Sequence, residues 1–354
     1  MKKFLFCLCA LVLGQAVFAA TNNIVAITTQ SAFFDSVNKK VGLKFNYCTG
    51  MRLSPTVIIT AANCFSPKIT NDIDLFLDLN YNEKAKVWEM TLAGTLNSGK
   101  FPNKKNVHLY LFQQNFNPED TSGIEADRYG DLALLVIDNH ENLAALGDIN
   151  YLPQQDRESA KKYADEKQTA INTQYEKFLN VPLEDYKVLA LNSKQDAMPE
   201  FFKNVKVSSY YFPVTENTEV RPVLKEITPK THSSLTVNSG TFKGLAVRNP
   251  KILEWDMETY AEESVGAPVL DTNNKRLLGV VSGKDKDSTL ESMKIDENVC
   301  SFLKDKAGIE CEIVKEIAKY PTNTKKGFNM KIISLLVVGI GLLVACFLIL
   351  KKRR

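Results

Sequence analysis

The chain has 354 residues, 44% hydrophobic and 24% charged, a composition that excludes a disordered, collagen-like or multi-spanning membrane protein. Its formal net charge is +3, but the charges are unevenly distributed. Nine of the 44 basic residues and none of the 41 acidic residues lie outside residues 21–320, so this central segment carries a net charge of −6. An acidic central segment argues against a nucleic-acid partner.

Residues 1–19 have the pattern of a signal peptide. Two lysines precede an apolar run over Phe4–Val12, and small residues then lead to a cleavage site expected after Ala19. Neither Cys7 nor Cys9 ends a lipobox, which favours an export signal over a lipoprotein signal. The sequence therefore predicts an exported protein, periplasmic or at the cell surface if it is bacterial.

The C-terminal end has the pattern of a membrane anchor. Residues 332–350 carry no charge, and at about 1.5 Å per residue a helix of this length spans about 28 Å, close to the thickness of a bilayer core. The basic cluster 351–354 stays in the cytoplasm by the positive-inside rule. We therefore expect an ectodomain over 20–320, a tether over 321–331, one transmembrane helix and a basic cytoplasmic tail, which is a type I single-pass membrane protein.

A different use of the same C-terminal pattern is a sorting signal. Some bacterial surface proteins end in a hydrophobic helix and a basic cluster that mark them for cleavage and reattachment by a sorting enzyme. No recognisable sorting motif precedes Ile332, so a permanent anchor is favoured.

The cysteines predict two disulfides. Four of the seven lie in the predicted ectodomain, and an even number in an exported domain is typical of disulfide bonding. Proximity favours Cys48–Cys64 and Cys300–Cys311, each worth about 3 kcal/mol in the chain-entropy model. Four free thiols are the alternative. The cysteines and the three scattered histidines lack zinc-like spacing, so we expect no metal and no cofactor.

Most of the ectodomain reads as β-structure, because short runs of β-branched and aromatic residues alternate with Gly, Pro, Asn and Asp. One segment differs: between Pro153 and Pro182, apolar or small residues recur at helical spacing and predict a helix over about 154–179. This insertion serves either to dock a partner or to pack on the β-structure. A shorter closing helix is expected over Glu310–Lys319. The predicted strands are 41–47, 56–60, 88–92, 107–112, 132–137, 205–212, 235–237, 269–270 and 277–282.

Several short motifs then occur in a meaningful order. They are YCTG at 47–50, VIITAANC at 57–64, GDLALL at 130–135, ESVGAPVL at 263–270 and LGVVSG at 278–283. Their order resembles the trypsin/chymotrypsin family of serine peptidases, whose marks are C-G-G, T-A-A-H-C, D-I-A-L-L, G-D-S-G-(G/A)-P and G-(I/V)-V-S-(W)-G. The resemblance covers roughly residues 24–290. It implies a double six-stranded β-barrel, into which the helix predicted from its periodicity over about 154–179 is inserted.

The same resemblance implies that proteolysis has been lost. The position of the catalytic His is Asn63, whose amide cannot act as a general base near neutral pH. The position of the nucleophilic Ser is Val265, which has no nucleophilic atom. Of the triad only Asp131 remains, and without an imidazole it has nothing to orient. Asp131 is then a buried or hydrogen-bonded carboxylate retained for folding, with Asn63 as a possible partner.

Neighbouring positions depart from the family as well. Glu263 stands where a Gly supplies one oxyanion-hole N–H, and Ser264 stands where an Asp pairs with the new N-terminus on activation. Thr259 occupies the position that sets specificity, and Ala261 that of a cysteine that braces the pocket. Base, nucleophile, activation switch and pocket are therefore all altered.

Two functions remain open. The first is a membrane-anchored pseudopeptidase that binds an unknown protein or peptide through its cleft or inserted helix. The second is a serine-type endopeptidase with a rearranged site that uses Ser264 as a displaced nucleophile, although no histidine lies in a family position to activate it. The binding module is the favoured hypothesis.

Overall fold

The computed structural model describes residues 22–35, 40–65, 73–94, 107–113, 130–137, 154–191, 202, 205–215, 230–247, 249–284 and 289–314. The predicted signal peptide, tether, transmembrane helix and tail lie outside these residues. Within them, no helix is both long enough and apolar enough to cross a membrane.

The first half of the fold is a closed barrel. Its strands are hydrogen-bonded in the order β1-β2-β3-β7-β6-β4-β5. All neighbours are antiparallel except β1 and β5, whose parallel pairing closes the barrel. The strands are β1 (Ile24–Asp35), β2 (Lys40–Ser54), β3 (Val57–Thr60), β4 (Ile73–Asn82), β5 (Val87–Gly94), β6 (Val107–Leu111) and β7 (Ala133–Ile137).

The second half is an eight-stranded sheet in the order β14-β9-β12-β13-β16-β15-β8-β17, beside a two-stranded β10-β11 sheet. Strand β14 also pairs with β15, which curls the sheet, while β8 and β17 extend it by parallel pairing. The strands are β8 (Lys187–Leu191), β9 (Lys206–Tyr211), β10 (Val214–Thr215), β11 (Thr231–His232), β12 (Thr236–Ala246), β13 (Asn249–Met257), β14 (Pro268–Asp271), β15 (Arg276–Lys284), β16 (Leu290–Lys294) and β17 (Cys311–Val314).

These sheets confirm a mostly β fold and correct one detail of the prediction. The first barrel closes with seven strands instead of six. In the second half β14 pairs with both β9 and β15, so six strands form a closed ring that β8 and β17 extend to an eight-stranded sheet. The two added strands follow the helices: β8 follows the inserted helix and pairs with β15, and β17 follows the last helix and pairs with β8.

Two apolar clusters form the interior. The larger fills the barrel and continues into the second half through side chains such as Val280 and Met293, so the halves share a core. The smaller surrounds Trp255, which is fully buried and donates its indole N–H to Ser292 Oγ at 2.7 Å. A buried indole needs such an acceptor, because an unpaired polar group in a core costs about 1–3 kcal/mol.

The inserted helix, α1, spans Gln154–Asn180 and confirms the predicted element. Its C-terminal end is packed on the barrel, where Tyr175 and Phe178 are buried and the Phe178 ring meets Trp88 at a centroid distance of 5.3 Å. Arg52 is buried below it, with its guanidinium 3.7 Å from the Phe178 ring centroid, and its Nη2 donates to Phe178 O at 2.8 Å. A cation at a helix C-terminus is stabilising.

The predicted helix over Glu310–Lys319 is wrong over 311–314, which form a strand, and residues 315–319 lie outside the described residues. The last helix, α2, spans Glu297–Ala307, and strand β17 follows it. Asp296 caps the helix start by accepting from two main-chain N–H groups, and Gly308 ends it in the left-handed conformation (φ 67°). These two capping residues are the signals in the sequence that place the helix before Glu310.

Both predicted disulfides are confirmed. Cys48–Cys64 joins β2 to the 3-10 turn Ala62–Cys64, and Cys300–Cys311 joins α2 to β17. The Cα–Cα distances are 6.0 and 5.8 Å, within the ordinary range for a disulfide.

His232 connects β11 to the barrel and makes the fold sensitive to acid. Its Nε2 lies 3.0 Å from Thr28 Oγ1, its ring meets Tyr47 edge-on, and burial lowers its pKa from 6.5 to about 4. Between these pH values the unfolded chain binds a proton that the folded chain does not. The contribution of neutral His232 to the free energy of unfolding is therefore complete above pH 6.5. This contribution, at most about 3 kcal/mol, is lost as the pH falls towards 4.

We therefore predict that His232→Gln destabilises the protein more at pH 7.5 than at pH 4.5. Urea unfolding of both proteins at the two pH values measures the difference in free energy of unfolding. An equal effect at both pH values would show that His232 titrates alike in the folded and unfolded chain.

Candidate functional site

Asn63 and Asp131 meet where the first half of the fold faces the second. Asn63 lies in the 3-10 turn after β3, and Asp131 lies just before β7. The Asn63 main-chain N–H donates to Asp131 Oδ1 at 2.7 Å, while the Asn63 side chain is exposed and Asp131 is buried. This bond uses a main-chain group that any residue but proline would supply, so it fixes the turn without requiring an asparagine.

The structure brings Val265 to the same place. Val265 follows a second 3-10 turn, Glu262–Ser264, and its carbonyl oxygen lies 3.9 Å from Sγ of Cys64, the neighbour of Asn63. The three positions suggested by the motifs are therefore adjacent in space. An acyl-transfer site requires a nucleophile and a neighbouring general base. Val265 has no nucleophilic atom, and the amide of Asn63 is not a base.

Ser264 is buried in this second turn. It is 1% exposed, and its hydroxyl donates to Ala261 O at 2.5 Å. The hydroxyl that a rearranged hydrolase would need is thus directed at the main chain of its own turn.

Thr49 holds the second turn against the barrel. Its N–H donates to Val265 O and its hydroxyl donates to Glu263 O, both at 3.0 Å. Its own carbonyl accepts from Thr60 Oγ1 at 2.8 Å. The one signal for Thr49 in the sequence is its place in YCTG, where the family motif has Gly.

The turn leaves no pair of converging N–H groups at residues 264–267. Val265 N–H donates to Glu262 O at 3.1 Å, and Ser264 N–H donates to Ala261 O at 3.0 Å. Gly266 N–H and Ala267 N–H are likewise bonded to Val281 O and Ser264 O. An oxyanion hole needs donors that wait for developing charge, and the Val265 N–H, at the nucleophile position, is already bonded.

Gly266 is required for the close approach of the two halves. Its φ is +82°, and a Cβ there would fall onto Thr60 Oγ1 and Thr49 O. Only glycine adopts this conformation without strain and leaves room for these atoms.

The predicted specificity position, Thr259, is also held rigidly. Asn238 is 2% exposed, and its side-chain amide bonds both the Thr259 N–H and the Thr259 carbonyl. The Thr259 side chain itself is exposed. Among the described residues, no group of three or more His, Cys, Asp or Glu side chains is placed to hold a metal ion.

The chain is similar in structure to several solved proteases. The inactivated protease paralogue S-D1 of the scabies mite is 11% identical over 83% of this chain and 96% of its own, with a TM-score of 0.41. The tobacco etch virus protease is 10% identical over 81% and 79%, with a TM-score of 0.37, and an active protease of M. tuberculosis is 13% identical over 86% and 88%, with a TM-score of 0.34. No family model and no curated protein matches the sequence. Similarity this distant identifies no activity.

The geometry of the turn predicts that restoring the two lost side chains does not restore catalysis. The double variant Asn63→His, Val265→Ser would regain a base and a hydroxyl, but the Val265 N–H still donates to Glu262 O. We expect peptide hydrolysis and fluorophosphonate labelling at background level.

An active trypsin-like protease serves as the positive control. If the double variant is labelled and the variant Asn63→His, Val265→Ala is not, the result would show instead that the turn rearranges readily.

Proposed function

We propose that this chain is a membrane-anchored, trypsin-like pseudopeptidase that binds a protein or peptide without cleaving it. The observation that carries the proposal is the turn at Glu262–Ser264: the Val265 N–H that follows it is bonded to Glu262 O, and Thr49 fixes the turn to the barrel. A site with an asparagine and a valine in place of base and nucleophile, and with the Val265 N–H already bonded to the turn, has no route to acyl transfer.

Loss of chemistry leaves the shape of the site in place. The two halves still meet around Thr49, Thr60 and Gly266, in contacts that hold the site rigid. The exposed side chains of Asn63 and Glu262 lie at its surface. A rigid scaffold that presents polar groups without reorganisation suits binding, because little conformational entropy is lost when a partner arrives.

Export and anchoring rest on the sequence. Residues 1–19 supply the signal, and residues 332–350 with the basic tail supply the anchor. The two disulfides agree with an oxidising compartment outside the cytoplasm. The partner would then be another protein of the envelope or cell surface.

The proposal predicts that no serine in the full chain is reactive. Fluorophosphonate labelling of the purified full chain should equal that of its Ser264→Ala variant, because the Ser264 hydroxyl is buried and bonded to Ala261 O. Labelling that is present in the wild type and absent from the variant would establish the alternative, a hydrolase that uses Ser264.

The proposal also predicts a partner at the cleft. A photo-crosslinking amino acid at Asn63, which is exposed, should give a defined crosslinked species in intact membranes. The same amino acid at Lys84, exposed in the turn between β4 and β5, is the matched control. Identical products from both positions, or none from Asn63, would contradict binding at the cleft.

A further inference from the structure

A groove of about 560 Å³ crosses the face of the second sheet, away from the turn at Glu262–Ser264. It lies over β9, β12 and β13 and is walled by the turn between β14 and β15, which contributes Thr272 and Asn273. The volume is in the range of ligand-binding pockets in proteins.

The strand register sets out the side chains of the groove. Thr241 on β12 is paired with Lys206 on β9 and with Asp256 on β13, so the three form one row across the sheet. Ser239 is paired with Ser208, and the Glu258 N–H donates to Ser239 O at 3.3 Å, which places Glu258 beside the next row. Both rows are polar because this face of the sheet is turned to solvent.

The charged side chains of the groove are available to a ligand. Lys206, Asp256 and Glu258 are exposed, and none of them makes an ion pair or a side-chain hydrogen bond with another described residue. The two carboxylates lie at one edge, and the ammonium group lies two strands away, about 10 Å at the usual strand spacing. The groove therefore has a negative edge that suits a cation.

Two further carboxylates follow in the chain, in the turn Glu262–Ser264. Glu262 and Glu263 follow within the same segment, and neither forms an ion pair with a described residue. Between the two carboxylate pairs, Asn238 clamps the main chain at Thr259, so the segment is held in one conformation. Acidic groups held in place attract a basic partner and set its direction of approach.

Resting on the proposed function, we propose that this groove and the segment from Asp256 to Glu263 bind a lysine- or arginine-bearing segment of the partner protein. One basic side chain would sit between Asp256 and Glu258, and the segment would run on towards Glu262 at the cleft. None of the described lining residues is aromatic, so the groove offers no stacking surface for a base or sugar ring.

The test uses the full chain in detergent and a fluorescein-labelled peptide of alternating glycine and arginine. We expect the double variant Asp256→Asn, Glu258→Gln to weaken binding about tenfold, because the groove then lacks both carboxylates that would attract the arginine side chains. The control is Glu176→Gln, Asp185→Asn, which removes the same charge from exposed positions outside the groove and should change affinity less than twofold. Lys206→Gln should tighten binding.

Two results would overturn the inference. One is equal weakening by the groove and control variants, which would mean that only net charge matters. The other is no binding by the wild-type chain beyond that of a matched glycine–glutamate peptide. If either result occurs and a photo-crosslinker at position 63 still gives a defined crosslinked species, the groove is not the partner site but the proposed binding at the turn stands. If position 63 gives no such species either, the groove proposal and the proposed function both fail.

Discussion

The arrangement at the centre of this protein depends on Thr49. Its N–H and hydroxyl hold the carbonyls of Val265 and Glu263, and its own carbonyl is held by Thr60. One residue of the first half therefore fixes both the second turn and the contact between the halves. A glycine at this position could supply the main-chain bond but not the hydroxyl, so the bond to Glu263 O depends on the threonine side chain.

This clamp supports the proposal that the site binds and does not catalyse. A catalytic centre keeps donors unsatisfied until charge develops in the transition state, at a cost in stability. Here the N–H groups of residues 264–267 are all bonded to carbonyls, and the Ser264 hydroxyl is bonded as well. The site has the hydrogen bonding of a structural turn, and it presents its polar groups, such as Glu262, to the outside.

The acidic segment from Asp256 to Glu263 joins, along the chain, the groove on the second sheet and the turn held by Thr49. The pairing of β12 with β9 and β13 creates the groove, and the next residues lead directly to the turn held by Thr49. The proposed partner segment would lie in the groove and run on along this segment towards the turn.

The sequence by itself determined the elements whose signals are local. The inserted helix, the two disulfides, the β character and the positions Asn63, Asp131 and Val265 all follow from spacing and short motifs. Strands such as β1, β4 and β13 were not predicted, although apolar residues alternate with mostly polar ones along β4, and α2 was misplaced because the caps Asp296 and Gly308 were overlooked. Tertiary structure alone decided the pairings that close the two halves, β1 with β5 and β14 with β15, the burial of Ser264 and the bonds of Thr49 to the second turn. These depend on pairings between residues far apart in the chain, and hydrogen-bond partners of that kind leave no local pattern to read.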